Sequence, residues 1–242
     1  MTKLSGNRAL TSAIWKPALV FSMVVGLFSL GHSIGGNGGA NAADQEKAEE
    51  VVILALGDSL TAGYRLPPDK SFPAQLEKVL RERGKGVRIL NAGVSGDTAT
   101  EGLARLEWSL TDEVDAVIVE LGANDGLRGT DPKVTEQALD QILASLKQRG
   151  LPVLLAGMEA PRNWGTDYVA AFRAIYPRLA EKHGAVLYPF FLEGVAAQPE
   201  LNQPDGLHPT AEGVAVVVRN ILPDVERLIE RARAKPDPET KG

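Results

Sequence analysis

The 242-residue sequence contains no cysteine and only three histidines. Without thiol groups the chain cannot form disulfides, bind zinc through thiolates or use a cysteine nucleophile. We therefore expect the folded domain to be stabilised by its core alone. The histidines are His32, His183 and His208, and His32 lies in a segment that we expect to be removed. A mechanism that needs a histidine base therefore has two candidates.

Acidic residues are absent from the first 42 positions, which carry three basic residues. An apolar stretch follows over 18–34, and a region rich in glycine, alanine and asparagine ends in Ala-Asn-Ala at 40–42. This is the order of a signal peptide with a small-x-small cleavage site. The sequence predicts export to the periplasm or the medium after cleavage. A retained membrane anchor stays open, although the apolar stretch is interrupted and slightly short for a span.

No cluster of basic residues or internal repeat is found in the sequence. The formal net charge is −5, and removal of residues 1–42 lowers it to −8. Nucleic acid binding depends on a positively charged surface, so this composition argues against a nucleic acid partner. No long apolar surface stripe stands out either, and we expect a monomer that acts on a small substrate.

After residue 42, apolar runs of strand length alternate with helical patterns. A continuous apolar run, such as that over 51–56, is typical of a strand buried on both faces. Proline near a helix start and glycine just past its end mark further boundaries. We expect strands over 51–56, 87–90, 115–121, 151–156 and 185–188, and helices over 72–83, 98–110, 132–149, 166–183 and 210–233, the last kinked or divided at Pro223.

This alternation predicts an α/β fold in three layers, α/β/α, with a five-stranded parallel sheet in flavodoxin-like order. We expect the domain to span 43–233, with 234–242 as a disordered polar tail. Such sheets bind ligands beyond the carboxyl ends of their strands. The glycine-rich loops that follow the first three strands should therefore meet at one edge; they cover 57–63, 91–97 and 122–129.

A serine follows the first predicted strand directly, in the run Leu56-Gly57-Asp58-Ser59-Leu60. A turn here would present the Ser59 hydroxyl at the sheet edge, beside helix N–H groups that favour developing negative charge. Alternatively, Asp58 or Ser59 simply caps a helix that begins near Leu60. The run is not the Gly-x-Ser-x-Gly elbow, because Thr61 occupies the position of its second glycine.

An aspartate and a histidine lie three residues apart in Asp205-Gly206-Leu207-His208-Pro209. Pro209 disfavours a helix at His208, so this is a turn. Such a turn can bring the Asp205 carboxylate to one imidazole nitrogen and leave the other for Ser59. Alternatively, Asp205 accepts from turn amides and His208 is a surface residue. His183 ends a helix before Gly184, where a cation suits the dipole, and we interpret it as structural.

Two further loops offer hydrogen-bond donors. Gly93 lets the backbone of the 91–98 loop approach a ligand closely, and the Asn124 side chain can donate from the 122–126 segment. Together with the Ser59 amide, the Gly93 amide and the Asn124 side chain would form an oxyanion hole. The alternatives are that both segments are turns and that Asp97 caps the next helix.

Four blocks of this sequence resemble, in order, the blocks of the SGNH, or GDSL-type, hydrolases: Gly57-Asp58-Ser59-Leu60, Gly93 within 91–98, Gly122-x-Asn124-Asp125, and Asp205-x-x-His208. The resemblance covers Val51 to about Leu228. The phrases at 94–98, 121–129 and 174–177 are similar to the bacterial multifunctional thioesterase I, lysophospholipase L1 and arylesterase group.

The resemblance implies an exported, metal-free esterase with Ser59 as nucleophile, His208 as base and Asp205 as the residue that orients it. It also implies Ser59, Gly93 and Asn124 as oxyanion donors. In that group a mobile acyl-site loop lies where this chain has residues 158–165.

These residues predict acyl transfer to water through an acyl-enzyme on Ser59, with no metal or organic cofactor. The expected substrates are short- to medium-chain acyl esters, lysophospholipids and acyl thioesters. Two alternatives stay open. One is a carbohydrate O-acetylesterase on the same fold. The other is a non-catalytic phosphate-binding module, which is disfavoured because four acidic residues crowd the loops: Asp58, Asp97, Asp125 and Asp205.

Overall fold

The computed structural model describes residues 50–234. The predicted signal peptide, residues 43–49 and all but the first residue of the predicted tail lie outside the described residues. A parallel sheet of five strands forms the centre of the domain. The strands are β1 (Val51–Gly57), β2 (Val87–Gly93), β3 (Ala116–Glu120), β4 (Val153–Ala156) and β5 (Val186–Tyr188).

The strand order is β2-β1-β3-β4-β5, which confirms the predicted flavodoxin-like arrangement. Strand β1 lies between β2 and β3, and all seven of its residues are buried. Its last residue, Gly57, pairs with Gly93 of β2 and with Glu120 of β3. The carboxyl ends of these three strands are therefore level, and the loops that follow them start from one edge.

Helices cover both faces of the sheet. Helix α2 packs against α9, and α6 packs against α3 and α8. The helices are α1 (Ser59–Ala62), α2 (Phe72–Glu82), α3 (Ala99–Ala104), α4 (Leu106–Ser109), α5 (Ala123–Arg128), α6 (Pro132–Gln148), α7 (Thr166–Arg173), α8 (Ile175–His183) and α9 (Ala211–Arg233).

Two predicted helices are each divided in the structure. The helix predicted over 98–110 is α3 and α4, separated at Arg105, whose side chain turns back to the sheet edge. The helix predicted over 166–183 is α7 and α8, separated at Ala174. Pro177 explains the second break, because it has no N–H and its ring clashes with the carbonyl four residues earlier.

Three local features differ from what the sequence offered. Helix α9 is not divided at Pro223, because buried apolar residues such as Ile221 and Val225 pack on both sides of the proline. Thr98, not Asp97, caps α3, through a capping box with Glu101. The loop predicted over 122–129 contains α5, a short helix bounded by two glycines with positive φ.

Candidate active site

The three residues predicted to act together meet at the carboxyl edge of the sheet. Ser59 is the first residue of α1, and Asp205 and His208 lie in the turn before α9. The Ser59 Oγ atom lies 2.9 Å from His208 Nε2. The other ring nitrogen, His208 Nδ1, lies 2.9 Å from Asp205 Oδ2. The structure thus forms a continuous hydrogen-bonded relay from carboxylate to hydroxyl.

The Asp205 carboxylate also organises its own turn. Its Oδ1 atom accepts from the backbone N–H groups of Leu207 at 2.9 Å and His208 at 3.0 Å. These bonds, together with the bond to the imidazole, lower the pKa of Asp205 to about 2. Asp205 is therefore ionised at neutral pH. The sequence left open whether Asp205 stabilises the turn or orients the histidine. The carboxylate does both, because Oδ1 accepts from the turn amides and Oδ2 contacts the imidazole.

Two residues that sequence reasoning missed hold His208 in place. The Tyr64 ring packs against the imidazole, with centroids 4.4 Å apart. The Gln203 side chain donates to the carbonyls of Tyr64 at 2.8 Å and Pro209 at 3.0 Å. Gln203 therefore fastens the histidine turn to the segment after α1. No local signal marks either residue, because the Gln203–Tyr64 contact spans 139 positions.

Asp58 caps α1 and leaves the Ser59 hydroxyl available. The Asp58 Oδ1 atom accepts from the N–H of Leu60 at 2.9 Å. The capping alternative is thus correct for Asp58, and it is compatible with the bond between Ser59 and His208. Ser59 lies in the first turn of α1, where the N–H groups have no partner within the helix.

The predicted oxyanion donors lie around α1, and two of them already donate to protein acceptors. Asn124 Nδ2 donates to Asp58 Oδ2 at 3.1 Å and to the Asp97 carbonyl at 2.9 Å. The Gly93 N–H donates to Asn91 Oδ1 at 3.0 Å. These bonds fix the direction in which both donors point.

Two paired glycines allow α1 to lie directly on the sheet edge. A Cβ atom at Gly93 would be 2.2 Å from the Ala62 nitrogen, and one at Gly57 would be 2.1 Å from Thr61 Oγ1. Both distances are impossible, so no larger residue fits at either position without movement of the nucleophile helix.

Arg105, which the sequence did not identify, joins the ends of β1 and β2. Its guanidinium donates to the carbonyls of Gly57 and Ala92, each at 2.8 Å. Its Nε atom also contacts Asp97 Oδ2 at 2.5 Å. Since the Asp97 carbonyl accepts from Asn124, Arg105 and Asn124 are both bonded to Asp97.

Acidic side chains are buried beneath the site. Burial raises the pKa of Asp58 to about 7. Glu120, at the end of β3, is fully buried, and desolvation raises the pKa of its carboxyl well above the usual value. Asp125 accepts from the Ala99 N–H and the Thr135 hydroxyl, each at 2.9 Å. Asp125 thereby ties α5 to α3 and α6, a structural role.

Exposed apolar side chains border the site. Val94 follows Gly93, Leu127 belongs to α5, and Leu207 precedes His208; each is between 43% and 48% exposed. Trp164, from the 158–165 segment, packs closely over Gly129 at the end of α5. The mouth of the site therefore offers an apolar surface beside the reactive hydroxyl.

Neither a metal centre nor a membrane span occurs within residues 50–234. That range contains no group of three or more potential metal ligands. None of its helices has the length and hydropathy needed to cross a bilayer.

Comparison with known proteins gives consistent matches. Residues 55–216 match the model of the GDSL-like lipase/acylhydrolase family. The chain is 46% identical to an arylesterase of Vibrio mimicus over 161 residues, 66% of this chain and 80% of that protein. It is 44% identical to thioesterase 1/protease 1/lysophospholipase L1 of Escherichia coli K12 over 178 residues, 73% of this chain and 84% of that protein. The crystal structure of AlinE4, an SGNH-hydrolase family esterase, superposes with a TM-score of 0.63 at 50% identity, covering 74% of this chain and 96% of that one.

Proposed function

Because the chain belongs to the GDSL-like lipase/acylhydrolase family, we propose that it is a serine esterase that hydrolyses carboxylic esters or thioesters through an acyl-enzyme on Ser59. The observation that carries this proposal is the relay of two 2.9 Å hydrogen bonds from Asp205 through His208 to Ser59. Ser59, His208 and Asp205 are suited to act as the nucleophile, the base and the orienting group that acyl transfer requires.

In the first step the Ser59 oxygen attacks the substrate carbonyl, and His208 Nε2 accepts the serine proton. The Asp205 carboxylate holds the proton on Nδ1 and stabilises the imidazolium that forms. His208 then donates its new proton to the leaving alcohol or thiol, and the acyl group remains on Ser59. In the second step water attacks this ester while His208 Nε2 accepts a proton from the water. His208 then returns the proton to the Ser59 oxygen, and the carboxylic acid leaves.

Negative charge on the carbonyl oxygen develops next to α1. The N–H groups of Ser59 and Gly93 and the Asn124 amide are the donors we assign to it. In the resting molecule the Gly93 N–H donates to Asn91, and the Asn124 amide donates to the Asp97 carbonyl and to Asp58. The substrate oxygen would compete with these acceptors. Removal of one such donor typically costs about 3–4 kcal/mol of transition-state stabilisation.

The apolar border of the site supports acyl esters as substrates. Val94, Leu127 and Leu207 are exposed beside the oxyanion donor Gly93, helix α5 and the base, where an acyl chain or an aromatic leaving group can cover them. We propose short- to medium-chain acyl esters, lysophospholipids and acyl thioesters. This agrees with relatives that are called arylesterase and thioesterase/lysophospholipase.

We also propose that the protein is exported and acts as a monomer without a metal ion. The order of charge, apolar stretch and Ala-Asn-Ala over 1–42 supports export. N-terminal sequencing of the protein from the producing cell should give Ala43 as the first residue. An N-terminus at Met1 would instead favour the retained anchor. Activity should also survive a chelator, and sedimentation should give the monomer mass.

Hydrolysis of a p-nitrophenyl ester series from acetate to palmitate tests the proposed function. The mature domain should turn over these esters and should be labelled stoichiometrically by an organophosphonate, whereas Ser59→Ala should do neither. Equal turnover by both proteins, or none by either, would contradict the assignment. A strong preference for acetate would instead favour the carbohydrate O-acetylesterase.

A further inference from the structure

Glu120 is a buried carboxyl that the proposed mechanism does not use. It is the last residue of β3 and pairs with Gly57, two positions before Ser59. Its Oε2 atom accepts a 2.6 Å hydrogen bond from the Thr61 hydroxyl and a 3.4 Å bond from the Asp58 N–H. Glu120 therefore contacts one residue before Ser59, Asp58, and one residue after it, Thr61.

The space around Glu120 is built for this contact. A Cβ atom at Gly57 would lie 2.6 Å from Glu120 Oε2, so the glycine makes room for the carboxyl. The other oxygen, Oε1, is buried and has no hydrogen-bond partner among the described residues. A buried carboxylate with one unpartnered oxygen is costly, and a neutral carboxylic acid is much less so.

The charged groups around Glu120 also disfavour its ionisation. The neighbouring Asp58 carboxyl adds negative charge beside Glu120. The Arg105 guanidinium is engaged by Asp97 and two backbone carbonyls and does not contact Glu120. Within residues 50–234, no cationic side chain forms an ion pair with Glu120.

Of the two neighbouring carboxyls, Asp58 is better suited to carry the negative charge. Both of its oxygens accept hydrogen bonds, one from the Leu60 N–H and one from the Asn124 amide. Glu120 has a short bond to only one oxygen. Since donors favour the ionised form of a carboxyl, the proton belongs on Glu120 and the charge on Asp58.

We infer that Glu120 is a positioning residue that acts as a neutral carboxylic acid, holding the Asp58–Thr61 turn so that Ser59 and Asn124 face the same substrate carbonyl. This inference rests on the proposed function, because it assigns Glu120 a role in that site. Glu120 itself does not reach the substrate; it acts through Asp58 and Thr61.

Infrared spectroscopy tests the protonation state without any turnover. At about pH 9, where Asp58 is ionised and ordinary carboxyls are too, the wild-type protein should retain the carbonyl band of a protonated carboxylic acid. Glu120→Gln should lose this band. Absence of the band from the wild-type protein, or its persistence in Glu120→Gln, would overturn the inference.

Kinetics of matched variants test the positioning role. Glu120→Gln keeps a neutral polar group of similar size and should lower kcat by less than about threefold. Glu120→Leu keeps the volume but loses the acceptor, and should lower kcat by about 30-fold with KM unchanged. Equal loss in both variants, or no loss in either, would overturn the role. If Glu120→Leu does not fold, Thr61→Val, which removes the donor, replaces it with the same expectation.

The two tests separate this inference from the proposed function. An inactive wild-type enzyme that still shows the infrared band would contradict the proposed function while leaving the neutral carboxyl in place. An active serine esterase without the band would keep the function and refute the inference.

Discussion

Two histidine–carboxylate pairs lie at opposite edges of the sheet. His183 ends α8 just before β5, and its Nε2 atom lies 2.6 Å from Asp140 Oδ1; His208 lies at the carboxyl edge, and its Nδ1 atom lies 2.9 Å from Asp205 Oδ2. The pairs differ in the second ring nitrogen. That of His208 meets Ser59, whereas His183 Nδ1 is buried without a partner among residues 50–234. A histidine next to a carboxylate therefore does not by itself indicate a catalytic site. Its second ring nitrogen must also contact a reactive group.

Replacing each histidine with alanine should give the largest difference in kcat between the two pairs. We expect His208→Ala to lower kcat by about 10⁶, the order found when a triad histidine is removed, because Ser59 then has no base. His183→Ala should leave kcat within about twofold, since His183 precedes β5 at the amino edge of the sheet, whereas Ser59 lies at the carboxyl edge. The measurement is kcat on p-nitrophenyl butyrate. Comparable losses in the two variants would refute the distinction.

Substitution of the two aspartates should give a smaller contrast. Asp205→Asn should lower kcat by about 10⁴, because an amide no longer fixes the proton on His208 Nδ1. Asp140→Asn should leave kcat in place and lower the free energy of unfolding by about 1–2 kcal/mol, since the carboxylate also accepts from Lys182. Turnover and urea unfolding of both variants measure the two effects. A kcat loss in Asp140→Asn would contradict the structural role.

The smallest expected difference concerns stability in acid. The pKa of Asp140 is lowered by its bonds to Lys182 and His183, and that of Asp205 is lowered to about 2 by turn amides and His208. An aspartate with a depressed native pKa contributes stability that is present above its ordinary pKa of 3.8 and is lost as the pH falls through the native value. Unfolding free energies should therefore decline below about pH 4.

Each aspartate-to-asparagine variant should flatten this decline, with the Asp205 variant differing from wild type down to about pH 2. Urea unfolding at a series of pH values provides the measurement. If the unfolding free energies of wild type and both variants declined identically in acid, neither pair would contribute to the decline. Asp58 should change the unfolding free energy in the opposite direction. Its pKa is raised to about 7 in the folded protein, so its contribution to stability is lost as the pH rises toward that value.

The sequence was most informative where a contact is local. The Asp205–His208 pair and the Asp58 cap each join residues two or three positions apart, and standard turn and capping rules describe them. The parallel sheet with helices on both faces followed from the alternation of strands and helices. Those features required no knowledge of distant partners.

The contact of His208 with Ser59 was expected from the four blocks, but other contacts between distant segments could not be predicted. Arg105 was interpreted as part of a helix, yet it turns back to Gly57 across 48 positions. Glu120 was interpreted only as part of a strand, since nothing near it in sequence indicates that it meets Thr61, 59 positions earlier. Gln203 and Tyr64 are further examples. Their roles depend on which strand ends are level, and sequence periodicity does not contain that information.

The separation of Ser59 from His208 by 149 positions has a consequence for the newly made chain. Ribosomes add about 5–20 residues per second, so the base is synthesised roughly 7–30 s after the nucleophile. Until residue 208, near the end of the predicted domain, has been added, the proposed nucleophile lacks its proton acceptor. Under the proposed function, a truncated or nascent chain would leave the lipids of its own cell intact, and hydrolysis would begin only with the complete protein.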